Sequence, residues 1–271
     1  MTLRRVCESP MKDKKQRVAP AQPRTNFNSS KLVRFLADLA MPDSSAHTTP
    51  AFAQRLGQWV SFTDATALYA VLESGTAPAT ARSAPDGLVA KEALARVRAA
   101  LVDAIQRGCT PALGAARIKF PVPPSDALPD LATAYAPFHH FYLALQREME
   151  AKLGPLRTAV RQALQGASPA LKQLAALDAA LEKILSERER RLFGTVPVLL
   201  ERRFEQWLKT HQQTLAANGQ ADDPATWMRP GAWLASFRDE MRSVLLAELE
   251  IRLEPSTGLV EALCNEANER G

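Results

Sequence analysis

The sequence predicts an all-α protein: an elongated helical bundle built on a long antiparallel helical hairpin, with a smaller N-terminal helical part. Three observations carry this. Hydrophobic residues form 46% of the chain and aromatics only 6%. Much of that apolar content is Ala and Leu, which lose least on entering a helix. Apolar residues also recur in steps of three and four through most of the chain, the period of a helix face. Finally, Ser-Pro and Thr-Pro pairs open these patterns and glycines close them, as helix ends require.

The first pattern is "NSSKLVRFLADLAMPD". Ser29 or Ser30 caps a helix with Leu32, Phe35, Leu36 and Leu39 on one face, and Pro42 and Asp43 stop it. Thr49 and Pro50 then read as N-cap and first helical residue. Phe52, Leu56 and Trp59, then Leu68 and Leu72, predict a helix in two pieces around Ser61 to Asp64. "GTAPATARSAPDG" is a linker by composition. "LVAKEALARVRAALVDAIQRG" is an amphipathic helix with Leu94, Val97, Leu101, Ala104 and Ile105 on its face and Gly108 as the C′ residue. Residues 109–130 carry five prolines, and within them "RIKFPV" alternates as a short extended segment would.

The hairpin follows. From about Asp130 to Leu164 the residues Phe138, Tyr142, Leu145, Met149, Leu153, Leu156, Val160 and Leu164 line one face, with a kink expected at Pro155. Gly166 reads as C′, Ser168 as N-cap and Pro169 as first residue of the next helix. That helix carries Leu171, Leu174, Leu177, Leu181, Ile184, Leu185 and Leu192. An interruption is expected at Gly194 and Pro197 before Val196, Leu200, Phe204, Trp207 and Leu208 resume the face. "NGQADDPATWMRPGAW" is a loop, and Leu234, Phe237, Met241, Leu245 and Leu249 give a last helix. Its end, Leu245 to Leu253, also alternates with period two; helix is preferred because Glu248 and Arg252 form an i,i+4 pair. The domain organisation is a basic tail read as disordered (1–26), an N-terminal helical region (27–108), a Pro-rich linker (109–130) and a C-terminal bundle (131–264).

Charge narrows the function. The net charge is +5, and the whole excess lies in residues 1–24, through Arg4, Arg5, Lys12, Lys14, Lys15, Arg17 and Arg24 against Glu8 and Asp13. The body is neutral, which disfavours a broad nucleic-acid face. Only the tail residues Arg4, Arg5, Lys12, Lys14, Lys15 and Arg17 remain as a contact for an anionic partner. Met11 leaves open an upstream start for part of this tail. Cys7, Cys109 and Cys264 are odd in number and widely spaced, which argues against a disulfide framework or zinc module and fits a reducing cytoplasm. No apolar run reaches membrane-spanning length, so no membrane insertion is expected.

The stretch "PFHHFYLALQREMEAKLGPL" looks most like chemistry. On a helix, His139 and His140 point about 100° apart, and four residues on stand Leu143 and Ala144, which cannot ligate. They read as helix-rim histidines. His47 lies in a linker and His211 near a helix end, with no partner evident. No two glycines stand two residues apart, which removes both the dinucleotide loop and the G-x-S-x-G elbow. Asp64 and Asp178 read as cap or helix-packing groups, and Trp59, Trp207, Trp227 and Trp233 as packing anchors. No catalytic residue, cofactor site or metal site is assigned, and the protein reads as not an enzyme. The mixed-sign run around Arg188, Arg190, Arg191, Arg202 and Arg203, with Trp207, is either a solvated helix face or a docking face for a protein.

Three stretches carry a resemblance: "RLGQWVSFTDATALYAVL"; "YLALQREMEAKLGPLRTAVRQAL" with "SPALKQLAALDAALEKILSERERRLFGTVPVLLERRFEQW"; and "FRDEMRSVLLAELEIRLEPSTGLVEAL". Together they resemble an uncharacterised proteobacterial family, a domain of unknown function, from about residue 25 to 264. Genes of that family are often found beside those of OmpA-type and MotA/MotB-like envelope proteins. The resemblance implies an accessory role for an envelope or motor-like membrane complex, from the cytoplasmic side. The expectation is therefore a non-catalytic helical interaction protein with a protein partner, self-association being open. The alternative is a nucleic-acid-associated regulator acting through the basic tail.

Overall fold

Ser168 turns the chain between its two longest helical runs. Its side chain accepts a hydrogen bond from the Leu171 amide, Pro169 supplies the first helical residue, and the backbone at Ser168 is extended. A single residue thus ends one helix and starts the next. The computed structural model describes residues 60–73, 85–110, 116–122 and 134–270. Among them the order is α1 (Phe62–Glu73), α2 (Pro85–Cys109), α3 (Ala136–Ala167), α4 (Pro169–Asn218), a 3-10 turn (Pro224–Thr226) and α5 (Trp233–Arg270). No strand occurs among the described residues. The expected all-α bundle is the observed one, and Leu245 to Leu253 is helix. The helix expected around Leu32 to Leu39, and Phe52, Leu56 and Trp59, lie outside the described residues.

The hairpin is antiparallel. Tyr135 at the start of α3 donates through its hydroxyl to the Pro197 carbonyl of α4 at 2.8 Å, while Arg157 further along α3 reaches back to Asp178. α5 runs parallel to α3 and antiparallel to α4: Phe138 and Phe204 both touch Phe237, and Glu150 and Phe193 both meet Arg252. α2 packs on α3 and α5, antiparallel to α5, since Arg98 pairs with Glu250 and Gly87 lies beside Cys264. The bundle is thus an α3/α5 pair flanked by α2 and α4. The same hydrophobic core holds Leu101 and Ile105 of α2 together with the hairpin residues. α1 packs on α4.

Several local expectations are corrected. α3 runs on through Gly166 to Ala167, so Gly166 is not its C′ residue. α4 passes without a break through Gly194 and Pro197. Pro197 lacks the amide that would bond to the Phe193 carbonyl. That carbonyl instead accepts from the Gln146 side-chain amide of α3 at 3.3 Å. A neighbouring helix re-satisfies the freed group and the helix goes on. Between Pro169 and Leu192 the only buried residues of α4 are Leu171 and Ala175; Leu174, Leu177, Leu181, Ile184 and Leu185 are half-buried and Leu192 is exposed.

One end of the bundle is closed by aromatics. Phe120, from the non-helical segment 116–122, packs on Phe138 and Phe141 at 5.1 and 5.5 Å between ring centres. Phe138, Phe204, Phe237 and Trp233 continue the cluster at 5.1 to 5.8 Å, spacings at which ring pairs attract. Gly108 is not a C′ residue; α2 extends to Cys109. Its role is close approach. The Phe120 amide bonds to the Gly108 carbonyl at 2.9 Å, and a Cβ at Gly108 would sit 2.9 Å from the Ile118 carbonyl oxygen and against the Phe141 ring. Gly108→Ala is therefore expected to push the 116–122 segment off the aromatic cluster and to cost about 1–3 kcal/mol, read as a lowered urea midpoint.

Candidate functional site

The strongest concentration of polar chemistry is buried. Glu248 of α5 has 0% of its surface exposed. Its carboxylate accepts from the Tyr142 hydroxyl at 2.5 Å, from the Gln146 amide at 2.9 and 3.1 Å, and from the Arg252 guanidinium at 2.7 and 2.8 Å. Arg252 also lies 4.0 Å over the Phe193 ring of α4 and 3.5 Å from Glu150. Burial, and then the Glu248 charge beside it, push the Tyr142 phenol far above its ordinary value. It stays a proton donor to the carboxylate. Every group here is satisfied and Glu248 has no exposed surface, so the node binds helices together rather than a substrate. In the sequence Glu248 and Arg252 read only as an i,i+4 pair that supports the helix.

A second cluster corrects the expectation that His211 lacks a partner. Its Nε2 lies 2.9 Å from Asp222 Oδ1, which also accepts from the Trp227 indole N–H at 2.7 Å. The imidazole stacks on Trp233 at 5.7 Å. The pairing ties the loop after α4 to the helix it leaves, with Gly219 in the left-handed region (φ 63°) turning the chain. Trp227 and Trp233 are buried anchors as expected. His139 is half-buried and packs on Tyr135 at 6.0 Å, while His140 is exposed beside it. Among the described residues no three His, Cys, Asp or Glu side chains group to hold a metal. Burial pushes the Cys109 thiol up to about 12, which leaves it unreactive at neutral pH.

Asp64 and Asp178 take the structural roles the sequence suggests. Asp64 Oδ2 accepts from the Ser61 hydroxyl at 2.7 Å and its amide at 3.0 Å, while the Asp64 amide donates to Ser61 Oγ. This reciprocal cap starts α1. Asp178 joins the two arms of the hairpin. Arg157 grips it at 2.5 and 2.9 Å and Arg161 at 2.6 Å, and Glu182 completes the cluster 2.7 Å from Arg161.

The exposed surface offers a different site. α4 carries Arg188, Leu192, Thr195, Val198 and Arg202 at steps of three and four, which places them along one face. Leu192 and Val198 are 57% and 49% exposed. Toward the start of α4 this face runs into an open groove of about 580 Å³ against α1, lined by Asp64, Ala67, Ile184, Glu187, Arg188 and Arg191 among others. Arg191 pairs with Glu187 on the same helix, and Arg190 donates to the Ser186 carbonyl. Arg202 is exposed. Arg203 and Trp207 are engaged within the bundle: Glu240 of α5 takes two bonds from Arg203 at 2.7 and 2.8 Å and one from the Trp207 indole at 3.0 Å, with Arg203 stacked on Trp207. The structure thus groups half-buried Arg188 with exposed Arg191 and Arg202 along one face of α4 and turns Arg203 and Trp207 toward α5. The tail residues Arg4, Arg5, Lys12, Lys14, Lys15 and Arg17 lie outside the described residues.

Residues 18–265 match a family described as a protein of unknown function, DUF3348. The chain belongs to the DUF3348 family. No curated protein and no solved structure matches it. Among the described residues, no helix of this family member is long and apolar enough to cross a membrane.

Two variants check the internal clusters. Glu248→Ala leaves Arg252 buried beside the Phe193 ring with only the exposed Glu150, 3.5 Å away, as partner, and should cost about 3–5 kcal/mol in urea unfolding, far more than Glu250→Ala on the exposed side. The Asp178 carboxyl, which burial alone would raise, is held below its ordinary value by Arg157 and then Arg161. Its contribution is present above the ordinary carboxylate range and is lost as pH falls through the lowered value. Asp178→Asn should therefore destabilise at pH 7, with the difference from wild type shrinking on acidification, as read from melting temperatures across pH 2–7.

Proposed function

We propose that this DUF3348 protein is a non-catalytic interaction protein that docks a protein partner through the exposed α4 face. The observation that carries the reading is the line Arg188, Leu192, Thr195, Val198, Arg202 on a helix of 50 residues, with two large aliphatic side chains in solvent between cations. Single exposed aliphatics are ordinary. A row of them at helical spacing, flanked by guanidinium groups that bond carboxylates in fixed geometry, suits an amphipathic helix of a partner. The buried node supports a structural rather than catalytic role for the most polar part of the core, since its carboxylate has no exposed surface.

For the partner, the gene neighbours implied by the family resemblance favour an envelope or motor-like membrane complex, met from the cytoplasm. Affinity capture from the native host, with nuclease present, tests this. Wild-type protein should retain OmpA-type or MotA/MotB-like proteins, and Leu192→Glu with Val198→Glu should reduce their recovery at least tenfold while leaving the melting temperature within a few degrees. Equal recovery by the variant would remove the α4 face from consideration. Recovery that disappears with nuclease would transfer the argument to the basic tail and a nucleic-acid partner.

A further inference from the structure

We propose that two copies of this chain associate through the outer face of α2, α2 against α2 and antiparallel. Glu92, Arg96, Ala99 and Asp103 succeed one another at steps of four, three and four, so they share one side of the helix. That side lies opposite the one that carries Ala90, Leu101 and Ile105 into the core, and all four residues are exposed. The charges of this face come in two pairs within the helix. Arg96 lies 3.7 Å from Glu92, and Arg107 donates to Asp103 at 2.7 Å. Even so paired, each of the four charged side chains is at least 49% exposed.

The order of these charges, acid then base and again acid then base, is complementary to its own reverse. With a two-fold axis midway between Ala99 and Ala100, Arg96 and Asp103 stand about 5 Å to either side of it, and Glu92 and Arg107 about 11 Å, at 1.5 Å per residue. Rotation about the axis brings Arg96 of one copy opposite Asp103 of the second, and Glu92 opposite Arg107, each contact occurring twice. A crossing angle of about 20° displaces the outer pair sideways by only a few ångströms, within reach of an arginine. A parallel pairing in register would instead set each charge against its like. The centre of the face is small and apolar. Ala95, Ala99 and Ala100 are exposed there, so the backbones can approach closely and no polar side chain is stripped of water. The charges lie toward the rim, where they keep much of their hydration and specify register more than affinity. Leu88 and Val89, 67% and 59% exposed at the start of α2, are carried over the far end of α2 in the second copy. A single helix pair is smaller than a standard interface, so the dimer is a weak one. α4 flanks the α3/α5 pair from the other side. Its exposed face stays free in this dimer, and the inference does not rest on the docking reading.

Sedimentation equilibrium of the full-length chain at low salt, from the low micromolar to the hundreds of micromolar range, tests this with charge reversals. The wild-type chain should dimerise reversibly, and more weakly as salt rises. Arg96→Glu alone and Asp103→Arg alone each set like charges against one another at two places, and each should raise the dissociation constant at least tenfold. An equimolar mixture of the two single variants restores opposite charges at both places, as does the double variant. Both should dimerise within about threefold of wild type. Melting temperatures within a few degrees of wild type check that these exposed substitutions leave the fold intact. A wild-type chain that stays monomeric over the whole range would overturn the proposal. A dimer that the single variants leave unchanged would overturn it too, by placing the contact on another face. So would losses in the single variants that neither the mixture nor the double variant recovers. No other protein is present in this measurement, so its outcome is separable from that of the capture experiment.

Discussion

A carboxylate sealed from water fixes how the three long helices meet. Glu248 comes from α5, its donors Tyr142 and Gln146 from α3, and the ring that covers Arg252, Phe193, from α4. Apolar contacts tolerate sliding, because Leu on Leu is nearly as good one turn away. A buried carboxylate does not. Moving α5 by one turn, about 5.4 Å, would carry Glu248 away from its donors and leave a charge without solvation, at a cost of several kcal/mol. The node therefore contributes little to net stability and much to register. Gln146 extends this to α4 by filling the Phe193 carbonyl that Pro197 leaves unbonded. One side chain then serves two constraints, and the proline that seems to break α4 becomes part of what aligns it.

How far the sequence disclosed this depends on the range of each interaction. The Ser168–Pro169 turn and the Ser61–Asp64 cap are local, made within four residues, and both are legible as residue patterns. The period-three-and-four faces of α3 and α5 are legible because burial imposes them. The break expected at Gly194 and Pro197 failed for the opposite reason. A proline states that an amide is missing, not whether another helix will satisfy the carbonyl it leaves. For Pro197 the answer lies in Gln146, 47 residues before the Phe193 carbonyl it fills. Gly108 misled similarly, since a glycine serves helix ends and close approach alike, and only the packing of Ile118 decides between them.

The functional groups followed the same rule. Asp178 declared itself a packing residue because a lone acid on an apolar helix face needs a cation nearby, and Arg157 and Arg161 lie on the adjoining arm. His211 and Asp222 stand eleven residues apart across a loop, close in sequence but joined only by the turn at Gly219. The charged run on α4 was visible as a run, but not its division. Arg203 and Trp207 face Glu240, whereas Leu192, Val198 and Arg202 face water. Helical spacing separates these two groups by azimuth, but which azimuth meets α5 is a tertiary fact.

α1 shows what the bundle leaves unfinished. Its inner face, Asp64, Leu68 and Val71, is half-buried against α4, and none of its residues is fully buried. Its outer residues Phe62 and Tyr69 are 90% and 62% exposed. Short helices gain little from propensity alone and need a packed face to persist. α1 obtains its contacts from the half of α4 whose own apolar residues are only half-buried, so each compensates for the other. The interface is consequently only partly shielded from water. Opening it would cost less than opening the core around Glu248, because fewer apolar side chains would be exposed. The contact between α1 and α4 lies beyond the register that the buried carboxylate holds fixed.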